Sequence, residues 1–329
     1  MSLLAEKLKL RRTVLRNRIA MPPMANNLAT EGGAVIPELS AHYELRARHG
    51  VSLLIVEHAY VHPSGRVNSK QLGIHRDELV DGLAGLAAGI HRHGALAAIQ
   101  ITHAGSNTTP EACGQVPIAP SAVPHPKKGT VPRQMAEEEL SELRSWYVDA
   151  ALRAQRAGFD AVELHGAHGY GLNQFLSPLT NRRTDSYGGD EEARGKFPLE
   201  IVRALRKALD ERTLLMYRLG VDDLLEGGLT IGTTSRFAMS LEEHGIDLID
   251  VSGGMSAFLV VDERPGYFRM HSRTIKGMVD IPVMVTGGIN TPELAEETLR
   301  SQDADIIGVG RALLSNPRWA LDALQKLAG

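Results

Sequence analysis

RAGFDAVELHGAHGYGLNQFLSPLTNRRTDSYGG, Arg156–Gly189, ends one amphipathic stretch, turns at Gly158, runs through a short apolar strand and opens into histidines, a tyrosine and a polar loop. The unit it completes, a helical pattern over Glu137–Ala157, a glycine that tolerates the left-handed conformation, then a strand over Ala161–His165, recurs along the chain. Strands are expected at Arg18–Met24, Ser52–Glu57, Leu96–Thr102, Ala161–His165, Leu214–Leu219, Leu248–Ser252, Val283–Thr286 and Asp305–Val309. Helical patterns follow them at Glu38–His49, Leu79–His93, Glu137–Ala157, Ala193–Ala208, Ile231–Glu243, Ser272–Met278, Pro292–Arg300 and Arg311–Lys326. Gly50, Gly94, Gly158 and Gly245 close helices ahead of strands, and Thr291-Pro292 supplies an N-cap and a first-turn proline. Eight strand-then-helix units in an unbroken series predict an α/β fold, a single (β/α)8 TIM barrel, because open doubly wound sheets usually stop at five or six strands.

One barrel over residues 1–329 accounts for the whole chain, since no linker or composition shift divides it. The long irregular stretch 104–134, with six prolines, follows the third strand and is expected to be a lid or rim. Hydrophobic residues make up 43% and charged residues 23%, which supports a large core and argues against disorder. The net charge of −3, from 36 basic and 39 acidic residues, offers no footprint for nucleic acid or an anionic membrane. No apolar run suits a membrane span and no leader is evident, so a cytoplasmic protein is expected. The lone Cys113 excludes an internal disulfide and any site built on several thiolates, and no other residue pattern suggests a metal.

In a barrel of this kind the chemistry gathers where strands end. The first five expected strands end in Pro23-Met24-Ala25-Asn26-Asn27, Glu57-His58, Gln100-Ile101-Thr102-His103, His165-Gly-Ala-His168 and Tyr217-Arg218. Polar groups at five buried strand ends are costly unless something bound there uses them. Taken singly, each could cap a helix or satisfy a neighbouring loop: the histidines could be core residues, and Arg218 could pair with Asp222 or Asp223. The last three end in Ser252-Gly253-Gly254, Gly287-Gly288 and Gly310-Arg311. Glycine turns let backbone N–H groups approach a phosphate, and Arg311 can grip it bidentately. A phosphate there and polar groups opposite suggest a ligand about as long as flavin mononucleotide (FMN).

The chain resembles the old yellow enzyme family of FMN-dependent ene-reductases, in its short, bacterial, barrel-only branch. The resemblance is carried by His165-Gly-Ala-His168-Gly-Tyr170, Asn173-Gln174-Phe175-Leu176-Ser177-Pro178, Asn181-Arg182-Arg183-Thr184-Asp185 and Tyr187-Gly188-Gly189, with support from Asn17-Arg18-Ile19, Pro120-Ser121-Ala122 and the strand ends above. It implies non-covalent FMN and a transient NADPH or NADH. His165 and His168 would hydrogen-bond the carbonyl oxygen of an unsaturated substrate, and Tyr170 would protonate its α-carbon after hydride reaches the β-carbon. Pro23, Met24, Ala25, His58, Gln100 and Arg218 would contact the flavin ring, His58 by its backbone, and Ser252, Gly287, Gly288, Gly310 and Arg311 the phosphate. His103 reads as scaffold, and Arg182 and Arg183 as residues that order their loop.

Ala25 stands where many members carry a cysteine or threonine that tunes the flavin, and Asn27 where some carry a substrate-anchoring tyrosine. The terminal LQKLAG lacks an arginine that some relatives lend to a neighbouring subunit. The expected activity is NAD(P)H-dependent reduction of enones, enals, maleimides or nitroalkenes, a small-molecule reaction that leaves a homo-oligomer open. The alternatives are another FMN barrel chemistry, amine demethylation or dienoyl thioester reduction, and a flavin-binding sensor without useful turnover.

Overall fold

Proline decides where the first barrel strand stops. Pro22 and Pro23 have no N–H to donate, so the strand expected to reach Met24 ends at Met21. The computed structural model describes residues 2–125, 128–255 and 264–328. In chain order the strands are β1 (Leu8–Leu10), β2 (Thr13–Leu15), β3 (Ile19–Met21), β4 (Leu53–Tyr60), β5 (Leu96–Thr102), β6 (Ile118–Ala119), β7 (Arg133–Gln134), β8 (Ala161–Gly166), β9 (Leu214–Gly220), β10 (Leu248–Ser252), β11 (Val283–Thr286) and β12 (Ile306–Gly308). Eight of them, β3, β4, β5, β8, β9, β10, β11 and β12, form a closed parallel barrel. Ile307 opposite Ile19 and Gly308 opposite Ala20 join its last strand to its first.

The expected strands are all present. β4 runs on to Tyr60 through a register shift between Val56 and Ala59, which places Glu57 and His58 at an irregularity beside the barrel mouth. The helices also appear as expected, with one difference. The stretch Arg311–Lys326 is two helices, Arg311–Ser315 and Trp319–Ala328, because Pro317 can neither continue the ladder nor leave Asn316 helical. Gly50, Gly94, Gly158 and Gly245 all have positive φ, from 71° to 99°. Thr291 caps its helix by accepting a hydrogen bond from the Leu294 N–H at 3.3 Å. The stretch 104–134 contains the short helix Pro110–Cys113 and the β6–β7 pair; Pro126 and Lys127 within it lie outside the described residues.

Strand alternation divides the side chains. Val162, Leu164, Leu215, Tyr217, Ile249 and Val251 face outward into the core shared with the helices. Ala20, Leu53, Ile55, Ala98, Ala161, Leu214, Met216, Leu248, Met284 and Ile306 fill the interior, joined by Leu10 and Leu15. The β1–β2 hairpin therefore closes the bottom of the barrel, an element the sequence reading did not anticipate. Its six strand residues are too short a run for period-two alternation to stand out. The N-terminal segment beyond it is tied down by Glu296, which accepts hydrogen bonds from the N–H groups of Leu3 and Leu4, each at 3.0 Å. No helix among the described residues is long and apolar enough to cross a membrane.

Leu15 is fully buried in this plug. Leu15→Ala should lower unfolding free energy by about 2–5 kcal/mol, the usual cost of a cavity at a buried leucine, while leaving the native far-UV circular dichroism spectrum unchanged. Urea denaturation checks this, and a loss below about 1 kcal/mol would mean that the hairpin is not part of the core.

Candidate active site

The interior side chains nearest the C-terminal mouth are polar. Continuing the alternation, Gln100 on β5, Glu163 and His165 on β8, Arg218 on β9, Asp250 and Ser252 on β10 and Thr286 on β11 occupy the positions above the apolar layers. Register brings them into rows: Gln100 lies opposite Glu163, and His165 opposite Arg218, which lies opposite Asp250. Gln100 donates to Glu163 Oε1 at 2.7 Å. Arg218 Nε lies 3.1 Å from Asp250 Oδ2, and its other nitrogens reach Pro23 O and Ser252 Oγ, each at 3.4 Å. The local pairing of Arg218 with Asp222 or Asp223 does not occur. Asp222 accepts from the Leu224 N–H, and Asp223 from the Ser177 hydroxyl and the N–H groups of Leu229 and Met255.

Beyond His165 the chain leaves β8 and doubles back over the mouth. His168 adopts φ 57° and Gly169 φ 70°. The strained histidine is held by its N–H to Gly253 O at 3.1 Å and by Nε2 against Ser252 Oγ at 2.7 Å. Tyr170 then precedes the short helix Gly171–Leu176. The result is a cluster of rings: His165 lies 5.2 Å from His168 and 4.4 Å from Tyr170 between centroids, and His58 lies 5.2 Å from Tyr170. His165 Nδ1 is buried with no hydrogen-bond partner among the described residues.

The polar loop that follows is a lock for this cluster. Asn173 accepts from the Gly169 N–H at 2.8 Å, while Gln174 donates to Gly169 O at 2.6 Å and Ala104 O at 3.0 Å and accepts from the Ser106 N–H at 2.9 Å. Gly105, at φ 60°, leaves room for that glutamine: a Cβ there would sit 2.1 Å from Gln174 Oε1. Asn181 donates to Phe175 O and Tyr187 O, and Arg183 to Pro120 O, Met135 O and the Asp185 carboxylate. Arg183 thus orders the loop, as expected. His103 is scaffold: its ring lies between Ser64 Oγ at 3.0 Å and the Gly105 N–H at 3.1 Å.

Two supports were not foreseen. Gln71 is paired with His58 Nδ1 at 2.7 Å and with His58 O at 3.1 Å, so the His58 ring itself, and not only its backbone, is positioned at the site. The buried carboxylate of Glu57 accepts from the Asn26 N–H and thereby fixes the turn that carries Met24 and Ala25. Neither partner is near its target in sequence, which leaves no local signal. Asp250 did have one, as a charged residue at an inward position of a strand.

Ser252, expected at the phosphate, has its hydroxyl between His168 Nε2 at 2.7 Å and Arg218 at 3.4 Å. The remaining phosphate candidates lie on one side of the mouth. Gly310 abuts the first strand's exit, where a Cβ would come 3.2 Å from Met24 Sδ. Gly287 and Gly288 have φ 148° and 66°, and a Cβ on Gly288 would lie 3.0 Å from Arg264 O and Gly266 N. Arg311 is exposed and forms no ion pair with a described residue. The arrangement fits FMN: a glycine-lined end with an exposed cation for a phosphate, and a buried guanidinium, an amide and a histidine nitrogen with no described partner for a polar ring system.

Burial sets the electrostatics. It holds His165 and His168 well below the usual histidine range, aided by the other histidines and Arg218, and it pushes His58 down to about 4 with further help from Arg218. Tyr170 is pushed up to about 12 by the same desolvation. At neutral pH the site therefore contains neutral imidazoles and a protonated phenol.

A sequence profile described as the NADH:flavin oxidoreductase / NADH oxidase family matches residues 4–328. The chain is 43% identical over 313 residues to an NADH oxidase of Thermoanaerobacter brockii, covering 93% of this chain and 48% of that protein. It is 40% identical over 319 residues to an NADPH dehydrogenase of Geobacillus sp. (strain WCH70), covering 97% and 92%. Among solved structures, a 2-naphthoyl-CoA reductase superposes with TM-score 0.94 at 26% identity, over 98% of this chain and 52% of that one. Morphinone reductase in complex with tetrahydroNAD superposes with TM-score 0.83 at 28% identity, over 98% and 90%. The chain thus spans about half the length of the oxidase and the naphthoyl-CoA reductase, and nearly all of the other two. With a closed eightfold barrel, a mouth that fits the cofactor and a match along almost its entire length, the chain belongs to the NADH:flavin oxidoreductase / NADH oxidase family, FMN-dependent flavoenzymes of the old yellow enzyme type that draw their electrons from NAD(P)H.

Proposed function

We propose that this chain reduces activated carbon–carbon double bonds, the substrate being a small enone, enal, maleimide or nitroalkene. The observation that carries the reading is the convergence of two neutral imidazoles and a protonated phenol, the His165 ring centroid lying 5.2 Å from that of His168 and 4.4 Å from that of Tyr170. The hydride chemistry, from NAD(P)H to the substrate's β-carbon, would be supplied by FMN bound at this mouth. Pro23, Met24, Ala25, His58, Gln100 and Arg218 would line its ring, and Ser252, Gly287, Gly288, Gly310 and Arg311 its phosphate.

The protein's own contribution is polarisation and proton delivery. His165 and His168 would each donate one N–H to the substrate's carbonyl or nitro oxygen, where negative charge grows as hydride arrives. Neutral imidazoles suit this role, because they are oriented donors that need no counter-ion in a buried site. Ser252 and the Gly253 carbonyl would fix the His168 ring and its backbone against rotation. Tyr170 would give its phenolic proton to the α-carbon and recover one from solvent. A phenol pushed up to about 12 holds its proton throughout the physiological range, and so remains a competent acid for a strongly basic carbon.

Three outcomes follow from these roles. In anaerobic stopped-flow experiments, Tyr170→Phe should slow flavin reoxidation by an enone about 10²-fold or more, with bleaching by NADPH or NADH within about threefold of wild type. Equal loss in both half-reactions would remove Tyr170 from proton delivery. His165→Ala and His168→Ala should each weaken binding of a para-substituted phenol by about 10-fold to 100-fold, the worth of a hydrogen bond to a charged group, while FMN stays bound; wild-type affinity in both variants would rule out the pair. The reoxidation rate should also be flat between about pH 6 and 9. Both histidines gain protons only well below their ordinary 6.5 and Tyr170 loses its own only near 12, so an inflection near neutrality that vanishes in His168→Ala would contradict the neutral-donor assignment.

A further inference from the structure

Four side chains form a buried layer just beneath the mouth: Gln100, Glu163, Arg218 and Asp250, each no more than 5% exposed. If every ionisable member were charged, two carboxylates would face one guanidinium and leave a net negative charge sealed in the barrel. Geometry assigns the partners. Arg218 and Asp250 share a rung of the β9–β10 ladder, with Nε and Oδ2 3.1 Å apart, and Thr286 donates to the other oxygen, Oδ1, at 3.3 Å. Glu163 shares a rung with Gln100 and Met216 and forms no salt bridge with a described residue, although the Arg218 charge still reaches it; its Oε1 accepts from Gln100, and its Oε2 has no hydrogen-bond partner among the described residues. Burial and the Asp250 charge raise Glu163 well above the usual carboxylate range, so the layer is balanced with Glu163 neutral and the Arg218–Asp250 pair ionised.

The pairing is loose in a specific way. Arg218 and Asp250 are close, but their N–H and oxygen are not aligned as a hydrogen bond, and the two terminal nitrogens of Arg218 reach their protein acceptors only at 3.4 Å. The guanidinium is therefore held by charge more than by directed hydrogen bonds, which leaves its donors free to serve a ligand.

We propose that Asp250 is a positioning residue of the flavin site: as the buried counter-ion of Arg218, it holds the guanidinium below the mouth and offsets its charge, so that a bound flavin senses an arginine–aspartate dipole in place of a full cation. Reduction adds negative charge to the flavin, and a nearby Asp250 opposes that gain. Asp250 thus sets the potential downward against the pull of Arg218, in a chain whose Ala25 has no side-chain donor of its own to offer. The proposal rests on FMN being seated against Arg218, as read above.

The test is an anaerobic spectroelectrochemical titration of the FMN-loaded enzyme. Asp250→Asn keeps the shape and removes the charge; it should favour reduced over oxidised flavin about tenfold, a positive shift of about 30 mV for two electrons. Glu163→Gln replaces one neutral group by another and should leave the potential in place. An Asp250→Asn enzyme that binds FMN stoichiometrically at the wild-type potential overturns the proposal, and so does a Glu163→Gln shift as large as that of Asp250→Asn. A purely structural role would weaken both redox forms of the cofactor alike and leave the potential unmoved.

Should Asp250→Asn fail to fold because its cation is stranded, the comparison moves to Arg218→Gln and Arg218→Gln/Asp250→Asn, the latter with an uncharged pair. Without Arg218 the Asp250 carboxyl takes up a proton more readily, so the double variant should match the single one at low pH and lie about 30 mV positive of it once the pH is high enough to ionise Asp250, as a tenfold effect requires; equal potentials from about pH 6 to 10 overturn the proposal. Failure of the wild-type protein to bind FMN or to be bleached by NAD(P)H would instead strike at the family reading.

Discussion

Barrel closure is the constraint from which the rest of this structure follows. Once Ile307 and Gly308 pair with Ile19 and Ala20, every second residue of eight strands points into an enclosed space that must be filled and satisfied. The lower layers meet that demand with aliphatic side chains and the Leu10–Leu15 plug. The upper layer does not: it holds an amide, two carboxylates, a guanidinium and a histidine. Such groups are costly to bury, and several of their atoms have no described partner. A polar layer of this kind is stable when something completes it, and its place at the C-terminal mouth is where a barrel binds its ligand.

The loop beyond His165 shows how the scaffold restrains its chemical groups. His168 stands in the left-handed region, which a non-glycine residue adopts at some cost. The cost is met by Asn173, Gln174, Ser177 and Asn181, whose side chains substitute for the backbone partners that an irregular segment lacks. Gly105 and Gly169 supply the space. A polar stretch that looks like solvent-facing loop in the sequence is therefore largely interior, with Asn173 and Gln174 turned onto Gly169, Ser177 onto Asp223, and Asn181 onto the backbone of Phe175 and Tyr187.

Desolvation then acts on all the titratable groups at once, with opposite effects by type. It depresses the histidines, raises Tyr170, pushes Glu57 up to about 7 and Asp250 up to about 6. The histidines thereby become neutral donors, the phenol a retained acid, and only the carboxylate beside Arg218 has a strong reason to stay ionised. One physical cause, exclusion of water from the mouth of the barrel, arranges both the hydrogen-bonding site and the charge beneath it.

The amino-acid sequence by itself determined the eight barrel strands, the main helices, their glycine and threonine caps and the His165–His168–Tyr170 constellation, because each of these is written in local periodicity, turn chemistry or short spacing. Its errors were also local in origin: Pro317 splits a helix that hydrophobic periodicity alone carries through, and the short β1–β2 hairpin gives too little pattern to detect. Only the tertiary structure decided that Arg218 pairs with Asp250 and not with Asp222 or Asp223, that the Ser252 hydroxyl lies against His168, and that Gln71 and Glu57 hold His58 and the Asn26 turn. These partners are set by the stagger of neighbouring strands and the path of loops between them. Sequence spacing does not record which rung of one strand lies beside which rung of the next, and that register is fixed only when the barrel closes.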